Sequence, residues 1–391
     1  MWETSGAALG KTVFMSGNHD ADFSIDGQHF TQVNPSAMNT SFCCDQIVQY
    51  APQIRRFIWL VQGNPGSTGH NVDVLAVSSP ATLRASGGRK WTSSWTFQAS
   101  QISKPNDWYD YPDLAIGKRD LIWTTNVIGS GDSVIQRIPL AALAAGKGLT
   151  VQYALFPGQI RPAQQTGGTT YWASLSDTST VTSYSSPEST LAINATPIPI
   201  PTQATSNWSI KLPNGSEWLD PVTAHTKLNP SMQSGTLAGG KLYFAWSAGR
   251  DVNGKQTWQQ PHIEIAVIDA ATATLDRMLY IWNAHHAWAW PALTSNAAGE
   301  VGMVANFGGG GGMYAYPYAG IIDATGAKQF KRISQGKNGI SSAGGHYITV
   351  RPFYPGGNCF AAFVFDEYPI GTTNNPVYAV FGHPNLPCNG G

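Results

Sequence analysis

The sequence predicts an all-β chain folded as a β-propeller, with seven blades expected and six or eight as the alternatives. Three observations predict it. Helical periodicity is nearly absent, and short runs rich in Val, Ile, Tyr, Phe and Trp are broken by Gly, Pro, Asn and Asp. A unit of strand, turn and more apolar strand recurs at blade-sized intervals. The chain also begins and ends on half units that can complete one another.

Taken in order, GKTVFMSGN (10–18) reads as the second strand of a unit, with ADFSIDGQHF (21–30) after it and no clear first strand ahead of it. DQIVQYAPQIRRFIWLVQGN (45–64) and YPDLAIGKRDLIWTTNVIG (111–129) are full strand–turn–strand pairs. PLAALAAGKG (139–148) is the single helix-like stretch, and RPAQQTGGTTYWASL (161–175) fits the unit less closely. TPIPIPTQ (196–203) reads as an extended linker between blades and not as a domain boundary, because similar units continue beyond it. These are NPSMQSGTLAGGKLYFAWSAGR (229–250), WPALTSNAAGEVGMVANFGGG (290–310) and YITVRPFYPGGNCFAAFVF (347–365). NPVYAVFG (375–382) is a spare strand. One domain over residues 1–391 is expected, its ring closed by pairing of the N- and C-terminal segments so that no sheet edge stays open.

Composition narrows the partners. Charged residues are only 12% and balance at 23 against 23, which leaves no basic footprint for nucleic acid or anionic lipid. No apolar run approaches the roughly 20 residues of a spanning helix. A surface polar through Ser, Thr, Asn, Gln and Gly, with 14 Trp and 15 Tyr, suits a polysaccharide or oligosaccharide ligand. A monomer is expected, secreted or periplasmic, although MWETSGAALGK is no signal peptide. Asn39, Asn194, Asn207 and Asn214 open sequons that chance alone would supply in so polar a chain. Cys359 and Cys388 flank the last segment and are expected to staple it; Cys43 and Cys44 are adjacent, a spacing that strains a bond between them.

At SIDGQHF (24–30) the chain resembles the Asp-box of sialidase-like propellers, S-x-D-x-G-x-x-W, one residue short and with Phe30 in the Trp position. The resemblance implies that the Asp caps the turn between a third and a fourth strand. It implies no sialidase chemistry, since neither an arginine triad nor a matched Tyr/Glu pair is found.

In such a ring the loops before the first strand and between the second and third open on one face around the axis, where ligands bind. That face collects six of the nine histidines: His19, His70, His225, His285, His286 and His346. The expected catalytic set is His285, His286, His346, His19 and Tyr111. Substrate contacts are expected from Arg161, Asn18, Asp20, Asp45, Gln46, Asn126, Lys227, Arg250 and Trp288. Trp288 and Tyr111 have a plainer reading as packing between blades. The Gly308–Gly312 run either admits a ligand to the backbone or is a flexible loop.

Three functional readings fit these parts. The first is a polysaccharide lyase or unusual glycosidase acting on a uronate-containing glycan, with His or Tyr moving the proton and Arg161 neutralising the carboxylate. A two-carboxylate glycosidase suits the sequence less, because none of the six glutamates indexes to the rim, although Asp20, Asp45 and Asp110 offer a pair. This reading requires no cofactor and is compatible with a structural calcium ion. The second is a metal centre with axial histidine ligands, for which no local spacing speaks. The third is a lectin, disfavoured because the rims differ from blade to blade.

Overall fold

The computed structural model describes residues 3–38, 41–65, 69–103, 105–190, 192–203, 207–219, 231–250, 258–322, 329–334, 348–367, 374–383 and 388. Of the residues singled out from the sequence, Asn39, His225, Lys227, His346 and Tyr347 lie outside this set.

The fold is an all-β propeller built from antiparallel meanders. The first sheet runs β1 (Ser5–Leu9), β2 (Thr12–Ser16), β3 (Ala21–Ser24) and β4 (Thr31–Val33). The second runs β5 (Phe42–Ala51), β6 (Arg56–Gly63), β7 (Asp73–Ser78) and β8 (Ser93–Phe97). The third runs β9 (Trp108–Ile116), β10 (Asp120–Ile128), β11 (Asp132–Pro139) and β12 (Gln152–Pro157). The next sheet is eight-stranded. One half is β13 (Ile160–Gln164), β14 (Thr169–Asp177), β15 (Thr180–Pro187) and β16 (Asn194–Pro199). The other is β17 (Ser234–Ala238), β18 (Lys241–Ala248), β19 (His262–Asp269) and β20 (Thr274–Ile281). The last two sheets are β21 (Ala287–Ser295), β22 (Val301–Gly308), β23 (Tyr316–Ile322) and β24 (Lys331–Arg332), then β25 (Thr349–Phe353), β26 (Cys359–Glu367) and β27 (Asn374–Gly382).

As hydrogen-bonded sheets among the described residues these number six, not the seven expected. The reason is local: Ala163 and Gln164 pair in parallel with Gly235 and Thr236, which joins two four-stranded meanders into one sheet. The innermost strands touch in cyclic order, β1 to β5, β9, β13, β17, β21, β25 and back to β1. They face the axis along one edge, where a missing N–H disrupts no ladder, and Pro112, Pro162, Pro291 and Pro352 sit there accordingly. Two of these prolines come directly after residues in left-handed backbone at β-bulges, Tyr111 (φ 53°) and Trp290 (φ 61°).

Between neighbouring sheets the core is aromatic. Phe14 on β2, Trp59 on β6, Trp123 on β10, Trp172 on β14 and Trp246 on β18 are all fully buried. In the β3–β4 turn the aspartate of SIDGQHF acts as a cap: Asp26 Oδ1 accepts the backbone N–H groups of Gln28 and His29 (both 2.8 Å). The equivalent β19–β20 turn repeats the device, with Asp269 Oδ1 accepting from Ala271 (3.0 Å) and Thr272 (2.9 Å).

Several expectations change. The first sheet owns its first strand, SGAAL at β1, which small residues disguise. Among the described residues β27 extends β26 and β1 borders the axis, with a single parallel bridge from Leu9 at the end of β1 to Tyr354 after β25. The first and last sheets meet instead by packing, with the Phe363 ring over Gly6, Thr4 Oγ1 donating to Phe363 O (3.0 Å) and Gly10 N to Tyr354 O (2.6 Å). The first half of TPIPIPTQ belongs to β16 and not to a linker. The helix-like stretch forms α2 (Leu140–Ala145), and a second helix, α1 (Pro80–Ser86), starts at a Ser79 cap. Cys359 and Cys388 are bonded as expected; Cys43 and Cys44 are bonded too, despite their adjacency.

Candidate active site

Two bulged inner strands bring carboxyl groups together at the ligand-face end of the axis. β5 slips register between Phe42 and Gln46, which places Asp45 at the rim, and the bulge at Tyr111 does the same for Asp110 on β9. The Tyr111 N–H donates to Asp45 Oδ2 (3.0 Å) and so couples the two strands. Glu3, just before β1, completes the cluster: Asn18 Nδ2 donates to its Oε2 (2.6 Å), and its charge acts on the Asp45 carboxyl. On the far side Gln62 Nε2 donates to Tyr109 O (2.8 Å) and reaches Asp110 Oδ1 (3.4 Å).

The environments differ in kind. Burial, then the charges of Glu3 and Asp110, push the Asp45 carboxyl well above its usual range, and the Tyr111 N–H only partly opposes them. Asp110 is also raised by burial, but Gln62 and the Arg161 guanidinium pull it back. Arg161 lies over the Tyr111 ring, 3.9 Å from its centroid. Burial raises the Tyr111 phenol, so this tyrosine is a poor base near neutral pH. Beneath the cluster a cavity of about 30 Å³ lies on the axis, lined by Tyr111, Asp113, Arg161, Thr349 and Arg351 among others.

The structure brings together Asn18, Asp45, Tyr111 and Arg161 of the sequence-predicted set; Lys227 and His346 lie outside the described residues, and the other members take the positions that follow. Gln46 is buried scaffolding, donating to Gly17 O (2.5 Å) and accepting from Trp59 Nε1 (3.0 Å). Asp20 closes the β2–β3 turn through its carbonyl, which accepts from Gly17 N (2.9 Å); His19 is exposed on that turn. Asn126 Oδ1 accepts from Ser133 Oγ (3.0 Å), across to β11. Arg250 holds the segment 207–209 through Asn207 O and Ser209 O. Trp288 is core, packed on Phe307, Tyr318 and Phe330. His285 is exposed, and His286 Nδ1 contacts Gly309 O (2.7 Å) with its ring edge on Phe307. The bonds that tie the carboxyl cluster involve neither histidine.

The segment before β17 covers the surroundings of His285 and His286. Trp208, Ile210, Leu212, Trp218 and Leu219 cross to β21, β22, β25 and β26 and pack on Ala287, Ala289, Trp290 and Ile348. Gly310 N donates to Lys211 O (2.7 Å), so this strap seats on the Gly-rich loop beside the histidines. Glu3 is absent from the sequence-predicted set. It had no position in a repeat, because SGAAL beside it does not read as a strand.

Among the described residues no group of three or more His, Cys, Asp or Glu side chains is placed to hold a metal ion. A larger cavity, about 1040 Å³, opens towards the other end of the ring beside the β17–β18 and β21–β22 turns. Several of its charges are mutually satisfied: Lys241 pairs with Asp269 (3.1 Å) and Asp276 (3.5 Å), and Arg277 with Asp276 (3.1 Å). The carboxyl cluster is the stronger candidate.

No protein-family model matches the chain, and no curated protein matches it in sequence. Among solved structures it is similar to the β-propeller domain of the trilobed protease from Pyrococcus furiosus, at 8% identity and a TM-score of 0.49, covering 98% of both chains. It is also similar to the GH93 α-L-arabinofuranosidase of Fusarium graminearum in complex with arabinobiose. That match has 10% identity and a TM-score of 0.47, covering 97% of this chain and 92% of that one. The α-L-arabinanase of Penicillium chrysogenum, also complexed with arabinobiose, gives 10% identity and a TM-score of 0.42, with 97% and 93% covered.

Proposed function

We propose that this chain is a glycosidase whose acid–base chemistry is done by carboxyl groups, with Asp45 as the acid and Asp110 as base or nucleophile. The observation that carries the reading is the cluster of Glu3, Asp45 and Asp110 at the axial end of the ring, held by bonds from Asn18 to Glu3, from the Tyr111 N–H to Asp45 and from Gln62 to Asp110. Environments that separate the proton affinities of neighbouring carboxyls are what acid–base hydrolysis needs. Asp45, kept protonated by burial, donates to the leaving glycosidic oxygen as the C–O bond breaks. Asp110 either takes the proton of the attacking water or attacks the anomeric carbon itself, in which case water then breaks the glycosyl–enzyme bond. No cofactor enters these steps. The substrate is a glycan, the chain acts as a secreted monomer, and the ring counts seven blades when the eight-stranded sheet is read as two.

A panel of neutral and uronate-containing polysaccharides, assayed for release of reducing ends and for ultraviolet absorbance of unsaturated uronate, tests the reading. Reducing ends without new absorbance are expected. Asp45→Asn and Asp110→Asn should each lower turnover by about 100-fold or more, while His286→Ala leaves it within a few-fold. New absorbance, with loss in His286→Ala, would instead restore β-elimination by histidine. Glycan binding without turnover would make the protein a lectin.

A further inference from the structure

The axial cavity beneath Asp110 is lined by donors that have nothing to donate to. Arg161 is 2% exposed and Arg351 5% exposed, yet Arg161 Nη2 and Arg351 Nε and Nη2 have no hydrogen-bond partner, nor does Thr349 Oγ1. All three residues line the cavity. Other polar lining groups are engaged. Gln164 donates to Leu114 O (2.9 Å) and accepts from Gln49 (3.0 Å), Gln233 Oε1 accepts from Ser247 N (3.0 Å) and Oγ (2.8 Å), and Ser234 Oγ accepts from Leu293 N (2.8 Å).

The charges do not balance locally. Asp113 is the one acid among the described lining residues, and its Oδ1 stands 3.8 Å from Arg351 Nη2, beyond hydrogen-bonding distance. Burial raises the Asp113 carboxyl, which weakens it further as a counter-charge. Two guanidiniums cannot shed their protons, and the nearby Asp110 and Asp113 carboxyls offset their charge without accepting a hydrogen bond from the free donors, which leaves the buried charge incompletely compensated. Water would meet the donors but not the charge. At about 30 Å³ the cavity has room for a small occupant.

We propose that this cavity is an anion site, holding one small monovalent anion of halide size between Arg161, Arg351 and Thr349. Arg161 also lies on Tyr111, so the anion braces the floor of the carboxyl cluster without touching it. The inference stands apart from the hydrolase reading, and its test reads no activity. Thermal unfolding of the full chain is measured in sodium chloride, sodium bromide and sodium gluconate at matched ionic strength. Chloride and bromide should raise Tm saturably, by about 3–5 °C at large excess, and gluconate should not. Arg351→Met should abolish the halide dependence; should that variant not fold, Thr349→Val should weaken apparent halide affinity about tenfold. Crystals soaked in bromide should show an anomalous peak within hydrogen-bond reach of Arg161 Nη2 and Arg351. A Tm that follows ionic strength alone, a halide response undiminished in the variants, or no axial bromide peak would each overturn the proposal.

Discussion

Asp45 shows how much a single side chain's surroundings decide. Its carboxylate would be an ordinary rim acid were it not buried beside Glu3 and Asp110, which together hold it protonated. A rate that depends on that proton falls as pH rises through the raised value. In a pH–rate profile the wild type should therefore show an alkaline limb, and Asp45→Asn, besides being slow, should lose it. Asp22 on β3 carries the same physics into stability. Burial, then the charge of Asp20, raises it from 3.8 to about 6. A raised folded-state value stabilises the fold fully below the unfolded value and ceases to do so above the folded one. Stability should thus decline between about pH 4 and 6 on account of this residue. Asp22→Asn should flatten that decline and gain on the wild type at pH 7, as chemical denaturation at a series of pH values would show.

At the scale of elements, neighbouring meanders are tied by a few buried polar clamps as well as by aromatic packing. Arg137 on β11 is the clearest. It reaches Asp120 Oδ2 through Nη2 (2.7 Å) and Nε (3.1 Å), and through Nη1 donates to Ser186 Oγ and Pro187 O at the end of β15 and to Thr190 O beyond it. Arg137→Met leaves the Asp120 charge buried alone and empties three acceptors in the next meander. It should destabilise by about 3 kcal/mol or more, read as a lowered urea midpoint with an unchanged m-value. Aromatic second strands were legible from RFIWLVQG and DLIWTTNVI because alternation and β propensity act within one strand. The strap at 207–219 was not legible. Its buried residues are partnered on β21 and β25, far along the chain, and no local period marks them.

For the molecule as a whole, closure depends on the contact between first and last sheets. Gly6 has no side chain because the Phe363 ring occupies that space. Gly6→Ala forces the ring aside and should lower stability by about 1–3 kcal/mol, with the melting transition shifted down and the far-ultraviolet β signal of the folded state unchanged. A shift no larger than that of a surface substitution would mean that the ring is not closed there.

Composition, alternation and turn residues were enough for the β class, most inner and second strands, the Asp26 turn and the exclusion of a nucleic-acid footprint, since each depends on residues a few positions apart. Tertiary structure decided which side chains reach the axis. The Tyr111–Asp45 bond spans 66 residues, and Glu3 joins only because the ring returns to its start. The histidines of NAHHAWAWP stand out in sequence, but the strap that packs beside them lands where no local pattern encodes it. Convergence at a ring's centre is a non-local property: it is fixed by how many units pack and where the strands bulge, and a strand's own sequence states only which of its faces is apolar.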